Sequence, residues 1–151
     1  MGKLASIVYK PKDALPPDAG YNRIPLKTAR LRAGYGIEGD AKGGGNRHLN
    51  IMSAETLAAL AGEGFQAEPG QMGEQLILTG IEVDALPPGT RLRLGEQACV
   101  EFTEPRTGCS KLERHQGKLR AEAARRLGSM ARVVTGGDIK IGDSVTVVSE
   151  G

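Results

Sequence analysis

The chain has 151 residues and a formal net charge of +2, from 20 Lys+Arg against 18 Asp+Glu, which predicts one domain burying roughly 70% of its unfolded surface. Glycine, at 22 residues, is about twice its usual share, whereas the aromatic content is Phe 2, Tyr 3 and Trp 0. The near-neutral charge excludes binding driven by a large global field, the shortage of aromatics excludes stacking platforms for nucleic acid, and two cysteines exclude a disulfide framework.

Residues 4–9 read as a short strand stopped by Lys10-Pro11, and 11–20, with Pro16-Pro17, as a loop. Residues 27–33 alternate in part, as a half-buried strand does. Residues 34–46 follow with six glycines: Gly34, Gly36, Gly39, Gly43, Gly44 and Gly45. Asn50-Ile51-Met52 reads as a strand, and Ser53 as the N-cap of a helix running to about Gly62. Residues 75–79, 90–94 and 98–103 read as strands separated by turns at Gly80, Pro87-Pro88-Gly89 and Gly95-Glu96. A helix is expected over 118–127, with Leu119, Ala123, Ala124 and Leu127 inward and Gly128 following it. Strands at 131–135 and 144–149, around Gly136-Gly137, end the chain. Many short strands with two short helices argue for a single mainly β domain over 1–151, a barrel or a sandwich.

The first nine residues carry no long apolar core or cleavage site, and no apolar run is long enough to span a bilayer. The expectation is a cytoplasmic protein with no membrane or nucleic-acid partner. In a reducing compartment Cys99 and Cys109 are thiols.

Two glycine motifs imitate nucleotide sites. Gly34-Tyr35-Gly36-Ile37-Glu38-Gly39 fits G-x-G-x-x-G, but the residues beyond it include Gly43-Gly44-Gly45, where a dinucleotide fold needs a helix. In 137–144 the place of the essential phosphate-binding lysine is taken by Asp143, and a strand comes next. Neither motif binds a nucleotide.

The chemistry that remains centres on Thr103-Glu104-Pro105-Arg106-Thr107-Gly108-Cys109-Ser110-Lys111. Pro105 and Gly108 make this a loop at a strand end, so the thiol reaches solvent. Arg106 and Lys111, with Arg114 and His115 beyond, favour the thiolate, the form that attacks, carries sulfur or binds a soft metal such as molybdenum. The alternative is a small hydrophobe filling space. Cys99, in Ala98-Cys99-Val100, reads as an inert core thiol, although Gln97 and Glu101 share its face. Nine residues separate the cysteines, which fits no zinc spacing.

Residues 105–126 hold seven basic residues against two acids. Ion pairs such as Glu122 with Arg126 account for the distal ones. Arg106 and Lys111, which flank the thiol, suit a phosphate-bearing ligand. Asp40 and the segment Gly43–Gly45, Asn46, Arg47 and His48 form a second polar cluster. It is either an anion cradle or a turn capped by its own Asp.

The order of these pieces resembles the MOSC domain, named from the C-terminal domain of molybdenum cofactor sulfurase. The matching segments are Gly36-Ile37-Glu38-Gly39-Asp40, Arg47-His48 and the strand after it, Ser53-Ala54-Glu55, Pro69-Gly70-Gln71-Met72-Gly73-Glu74-Gln75-Leu76, Leu86-Pro87-Pro88-Gly89-Thr90-Arg91-Leu92, Cys109, and the closing residues 136–143. The resemblance implies a closed, strongly bent β-barrel with a few short peripheral helices. It implies Cys109 as the catalytic residue, carrying sulfur or meeting molybdenum. It also implies Arg106, Lys111, Arg47, His48, Asp40, Gly39, Gly73 and Glu74 around a molybdenum cofactor (molybdopterin). Two departures stand out: Gln75 replaces the usual Asn, and Gly108, not proline, precedes Cys109.

In function, the resemblance implies a sulfur carrier that takes sulfur from a donor such as a cysteine desulfurase. The alternatives are a molybdenum-dependent reductase of N-hydroxylated compounds working with a redox partner, and a non-catalytic small-ligand barrel. Pyridoxal phosphate is not expected, because the desulfurase step belongs to a separate domain.

Overall fold

The alternation of apolar residues along the strands gathers them on one face of the sheet, the face that becomes the interior. The computed structural model describes residues 2–11, 23–41, 43–44 and 49–149; the 12–22 part of the first loop, Lys42, Gly45, Asn46, Arg47 and His48 lie outside the described residues. In chain order the elements are β1 Gly2–Tyr9, β2 Ile24–Leu26, β3 Thr28–Arg32, β4 Gly36–Ile37, β5 Leu49–Ser53, α1 Ala54–Gly62, β6 Leu76–Thr79, β7 Arg91–Leu94, β8 Ala98–Pro105, α2 Ser110–Gln116, β9 Ser129–Thr135, β10 Gly137–Lys140 and β11 Ser144–Ser149.

Seven strands close a barrel in the order β11-β7-β8-β9-β5-β6-β1, sealed by antiparallel pairing of Gly2 with Val145 and Lys3 with Ser144. β2 adds to β1, and β10-β3-β4 form a small second sheet. β5 and β6 pair in parallel because α1 carries the chain across between them. Register shifts in the β1–β6, β8–β9 and β11–β7 pairs bend the wall. The mainly β, closed-barrel expectation holds.

The interior is aliphatic, as the composition requires. Leu4, Ile51, Leu76, Leu78, Leu92, Val100, Ala131 and Val133 surround Phe102, all at most 1% exposed. A second cluster of Met52, Leu57, Leu60, Phe65, Met72, Ile77, Leu112, Ala123 and Leu127 packs α1 and α2 on the outside of β5 and β6. All five residues of β5 are buried, since both its faces are covered. Gly34-Tyr35 is the turn of a β3–β4 hairpin, and 141–143 the turn between β10 and β11, so both glycine motifs are turns.

The structure corrects four local expectations. No α-helix spans 118–127. The helix lies earlier, at α2, ended by Gly117 in the left-handed region (φ 67°), and only a 3₁₀ turn forms at Arg120–Ala123. Ala123 and Leu127 are buried as expected, but Leu119 is 64% exposed, so the apolar stripe is not continuous. Ser53 precedes α1 with extended backbone yet makes no cap; its hydroxyl donates to the Ile81 carbonyl at 2.5 Å and accepts from the Val83 N–H at 2.9 Å.

Cys99 is half-buried, on the outward face of β8, because Ala98, Val100 and Phe102 take the inward positions. Arg126 pairs not with the Glu122 carboxylate but with Glu63, at 2.6 and 2.8 Å, and meets Glu122 only through its backbone carbonyl. Among the described residues no helix is long and apolar enough to cross a membrane.

Candidate functional site

β8 runs out at Pro105, and Arg106-Thr107-Gly108-Cys109 carries the chain to α2. The Arg106 N–H donates to the Gly128 carbonyl at 3.0 Å, and its guanidinium donates to the Met72 carbonyl. Gly108 turns in the left-handed region (φ 79°) against Leu112, Leu127 and Arg120. Cys109 then stands with extended backbone immediately before α2, exposed, its carbonyl accepting from the Glu113 N–H at 3.2 Å. Neither cysteine is in a disulfide. Lys111 is half-buried in the first turn of α2.

α2 is fastened to the loop that Arg106 grips. The Gln116 amide donates to the carbonyls of Gln66 (2.8 Å) and Gln71 (3.0 Å), and its oxygen accepts from the Gln66 N–H at 2.7 Å. His115 Nε2 lies 2.7 Å from Gln71 Oε1. The thiol is thus mounted between two anchors on one partner loop. An exposed cysteine has a fixed base here.

That loop, 69–75, is organised from below by Glu74, which is 0% exposed. Its carboxylate accepts from the Gly70 N–H at 2.5 Å and the Met72 N–H at 3.2 Å. Burial pushes the Glu74 pKa above its ordinary value, and the hydrogen bonds and the nearby Arg106 charge only partly offset this. Gly70 and Gly73 both take left-handed backbone (φ 85° and 84°). At Gly70 a Cβ would meet Arg23 Cβ at 2.8 Å, so glycine is needed for the Arg23 stem to lie across the loop. Arg23 donates to the Gly73 carbonyl at 3.5 Å. Two guanidiniums therefore converge on neighbouring carbonyls, those of Met72 and Gly73.

The next residue ties in the glycine-rich loop. Gln75 Oε1 accepts from the Asn50 N–H at 2.8 Å, and its Nε2 donates to Asp40 Oδ2 at 3.4 Å. Asp40 is 0% exposed, and its other oxygen accepts from the Lys10 N–H at 3.2 Å. Tyr35 donates to the Asp40 carbonyl at 2.6 Å and its ring lies against Gly43, where a Cβ would sit 2.3 Å from the ring. The Asn50 side chain is 2% exposed, and among the described residues neither its Oδ1 nor its Nδ2 has a hydrogen-bond partner. Asn50 Oδ1 lies 3.1 Å from where a Cβ on Gly128 would be, and Gly128 is the residue whose carbonyl accepts from the Arg106 N–H.

The structure thus joins Arg106 and Cys109 to Gly73 and Glu74 through one loop, and joins Asp40 to that loop through Gln75. Gly39 is exposed beside the Tyr9 ring (φ 88°). Arg47 and His48 lie between Gly44 and Leu49, outside the described residues. Arg23, Asn50 and Gln116 escape the sequence reading: each is an isolated polar residue, and nothing local marks its tertiary contacts. Among the described residues no three His, Cys, Asp or Glu gather closely enough to hold a metal by themselves.

A closed seven-stranded barrel with one exposed thiol on a loop clamped by arginine defines a class of cysteine-bearing β-barrel modules. The sequence matches the MOSC domain model over residues 38–146, most of the chain and including Cys109. The chain belongs to the MOSC domain family, which is associated with the molybdenum cofactor.

Its fold is similar to YiiM from Geobacillus stearothermophilus (TM-score 0.77, 21% identity, covering 99% of this chain and 76% of that one). It is also similar to the YUAD protein from Bacillus subtilis (TM-score 0.76, 18% identity, 96% and 94%) and to YiiM from Escherichia coli (TM-score 0.73, 23% identity, 99% and 71%). At these identities the likeness is one of fold. No curated protein matches the sequence.

Proposed function

We propose that this protein is a molybdenum-cofactor-binding module that carries sulfur on Cys109. The observation that carries the reading is the exposed thiol at the entry to α2, on a loop pinned by Arg106 to Gly128 and to Met72. The donor set fits the cofactor: a sulfur ligand for a soft metal, guanidinium and ammonium groups for a pterin phosphate, and the orphaned buried Asn50 carboxamide nearby. Cys109 would meet the metal or hold sulfur, and Arg106 and Lys111 would hold the phosphate. Gly39, Asp40, Arg47, His48, Gly73 and Glu74 would shape the surrounding loops. When bound, the group supplies molybdenum redox chemistry.

Sulfur loading needs no metal. The Cys109 thiolate attacks the outer sulfur of a donor persulfide, of the kind a cysteine desulfurase presents. The new bond joins Cys109 Sγ to that sulfur, the donor's S–S bond breaks, and the donor leaves as a thiolate. Basic side chains on the thiol loop and the first turn of α2 favour the attacking thiolate.

The test is mass spectrometry with metal analysis of protein made in a cofactor-producing host. The expected result is one added sulfur on Cys109 and none on Cys99, with molybdenum and pterin co-purifying. Cys109→Ser that leaves persulfide, molybdenum and pterin unchanged overturns the reading. Turnover of N-hydroxylated substrates by the loaded protein with a supplied reductase would favour the reductase instead.

A further inference from the structure

A ring of contacts closes around the peptide bond that precedes the thiol residue, and the sulfur-carrier reading does not use it. Arg120 lies in the 3₁₀ turn after α2, 12 positions beyond Gly108. Its backbone N–H donates to Glu113 Oε2 at 2.9 Å, and its Nε lies 3.5 Å from the same oxygen. Its Nη1 donates to the Gly108 carbonyl at 3.5 Å, the long end of the hydrogen-bond range. Glu113 in turn donates its backbone N–H to the Cys109 carbonyl at 3.2 Å. The ring therefore runs from Cys109 to Glu113, to Arg120, to Gly108 and back to Cys109.

The consequence of the ring is geometric. The side chains of Arg120 and Glu113 are 49% and 26% exposed, and an ion pair at the surface contributes little to stability. What the pair holds is the backbone on both sides of the Cys109 Cα: the Gly108 carbonyl before it and the Cys109 carbonyl after it. With both peptide planes held, the extended backbone of Cys109 (φ −158°, ψ 174°) is fixed, and with it the direction of the Cα–Cβ bond that carries the sulfur. Gly108 makes the close approach possible. A Cβ there would meet Leu127 Cδ1 at 3.1 Å, Leu112 Cδ2 at 3.2 Å and Arg120 Cβ at 3.3 Å.

We infer that Arg120 is a positioning residue for Cys109, held in that role by Glu113, and that its charge is not spare for an anionic ligand. Attack on a persulfide or disulfide is an in-line displacement, so a fixed Cα–Cβ direction favours the productive approach of the sulfur. The pair also balances its own charge beside the thiol loop. Removing either member leaves a bare charge next to the peptide of Cys109. The other charged or titratable groups on the loop and α2 are Arg106, Lys111, Arg114 and His115, with Glu74 buried in the loop that Arg106 grips. These stay constant when only the pair is changed. The use of this geometry in sulfur transfer rests on the proposed function; the coupling of the pair to the thiol does not.

The test is the pH dependence of Cys109 alkylation by iodoacetamide, an uncharged reagent, in the full chain carrying Cys99→Ser. Relative to that parent, Glu113→Gln leaves a bare guanidinium and lowers the pH midpoint by about half a unit, whereas Arg120→Gln leaves a bare carboxylate and raises it by about as much. Both shifts shrink in about 1 M salt. Arg120→Lys keeps the charge and loses the planar fork. Its midpoint stays with the parent, but exchange of Cys109 with the uncharged bis(2-hydroxyethyl) disulfide slows by about threefold or more. Thermal unfolding run in parallel shows every variant folded, since the pair is exposed. Midpoints that do not move in either Gln variant, shifts of the opposite sign, or parent-like exchange in Arg120→Lys each overturns the assignment. No sulfur donor or cofactor enters these assays, so a wild type that carries no persulfide overturns the sulfur reading and leaves this result standing.

Discussion

The guanidinium of Arg106 donates to the backbone carbonyl of Met72, 34 positions away in sequence. This contact joins the loop that carries the thiol to the loop that Glu74 organises, and it lies above a buried carboxylate whose charge Arg106 partly balances. A residue that reads in sequence as an anion binder is therefore also a clamp.

Arg106→Lys keeps the charge but loses the fork. The expected outcome is a loss of about 1–3 kcal/mol in urea unfolding, because the Met72 carbonyl loses a charge-assisted partner. A disulfide reagent should react with Cys109 at a changed rate and with Cys99 at an unchanged one. Equal stability of variant and wild type would show the clamp to be dispensable.

Glu74→Gln reports on the buried carboxylate. Burial raises the Glu74 pKa in the fold, so the folded protein holds this proton more tightly than the unfolded chain does. The contribution of Glu74 is fully present below the ordinary carboxylate pKa and is lost as pH rises through the raised folded value. Gln is neutral throughout. Wild-type stability relative to Glu74→Gln therefore falls in paired urea titrations as pH rises from the ordinary carboxylate pKa through the raised folded value. A difference that moves the other way would mean that the Gly70 and Met72 amides and Arg106 outweigh desolvation.

Ser53→Ala separates a helix cap from a bridge. The hydroxyl is 1% exposed and bonds both the Ile81 carbonyl and the Val83 N–H, so its removal loses two buried hydrogen bonds and leaves only the direct Val83 N–H to Ile81 carbonyl bond at 3.0 Å. A loss of about 1–3 kcal/mol is expected in thermal or urea unfolding. Glu55→Gln, which alters only the exposed bond to the Gly80 N–H at 3.1 Å, should change stability by about 1 kcal/mol or less.

Gly128→Ala should be among the most damaging single substitutions. A Cβ there would sit 2.2 Å from the Ile51 carbonyl oxygen, and φ is already +85°. A loss of about 3 kcal/mol or more, or failure to fold, is the expected result, checked by circular dichroism and urea unfolding. The same change at Gly142, where φ is +93° but nothing lies within 4 Å, should cost only the backbone strain of about 1 kcal/mol.

The barrel is legible in the sequence because its signal is local. Alternation at 91–94 and 98–103, with glycine and proline between the runs, specifies strands and turns whatever the partners are. The exposed thiol is legible for the same reason: Pro105 and Gly108 end β8 before Cys109. The segment 118–127 imitates a helix because Ala, Leu and Arg have high helix propensity, while Gly117 and the left-handed turn at Arg125 break it into a 3₁₀ turn. The outward position of Cys99 is not legible, because alternation fixes which residues share a face but not which face is inside.

The sequence by itself therefore determined the mainly β architecture, the turns, the family resemblance and the candidacy of one cysteine. Only the tertiary structure decided what surrounds that cysteine. The contacts of Arg106 with Met72, Arg23 with Gly73, Gln75 with Asp40 and Gln116 with Gln66 each span 34 to 50 positions. A polar side chain carries no mark of a partner so far along the chain. Hydrophobic closure of the barrel brings the loops together, and burial then obliges their polar groups to find one another.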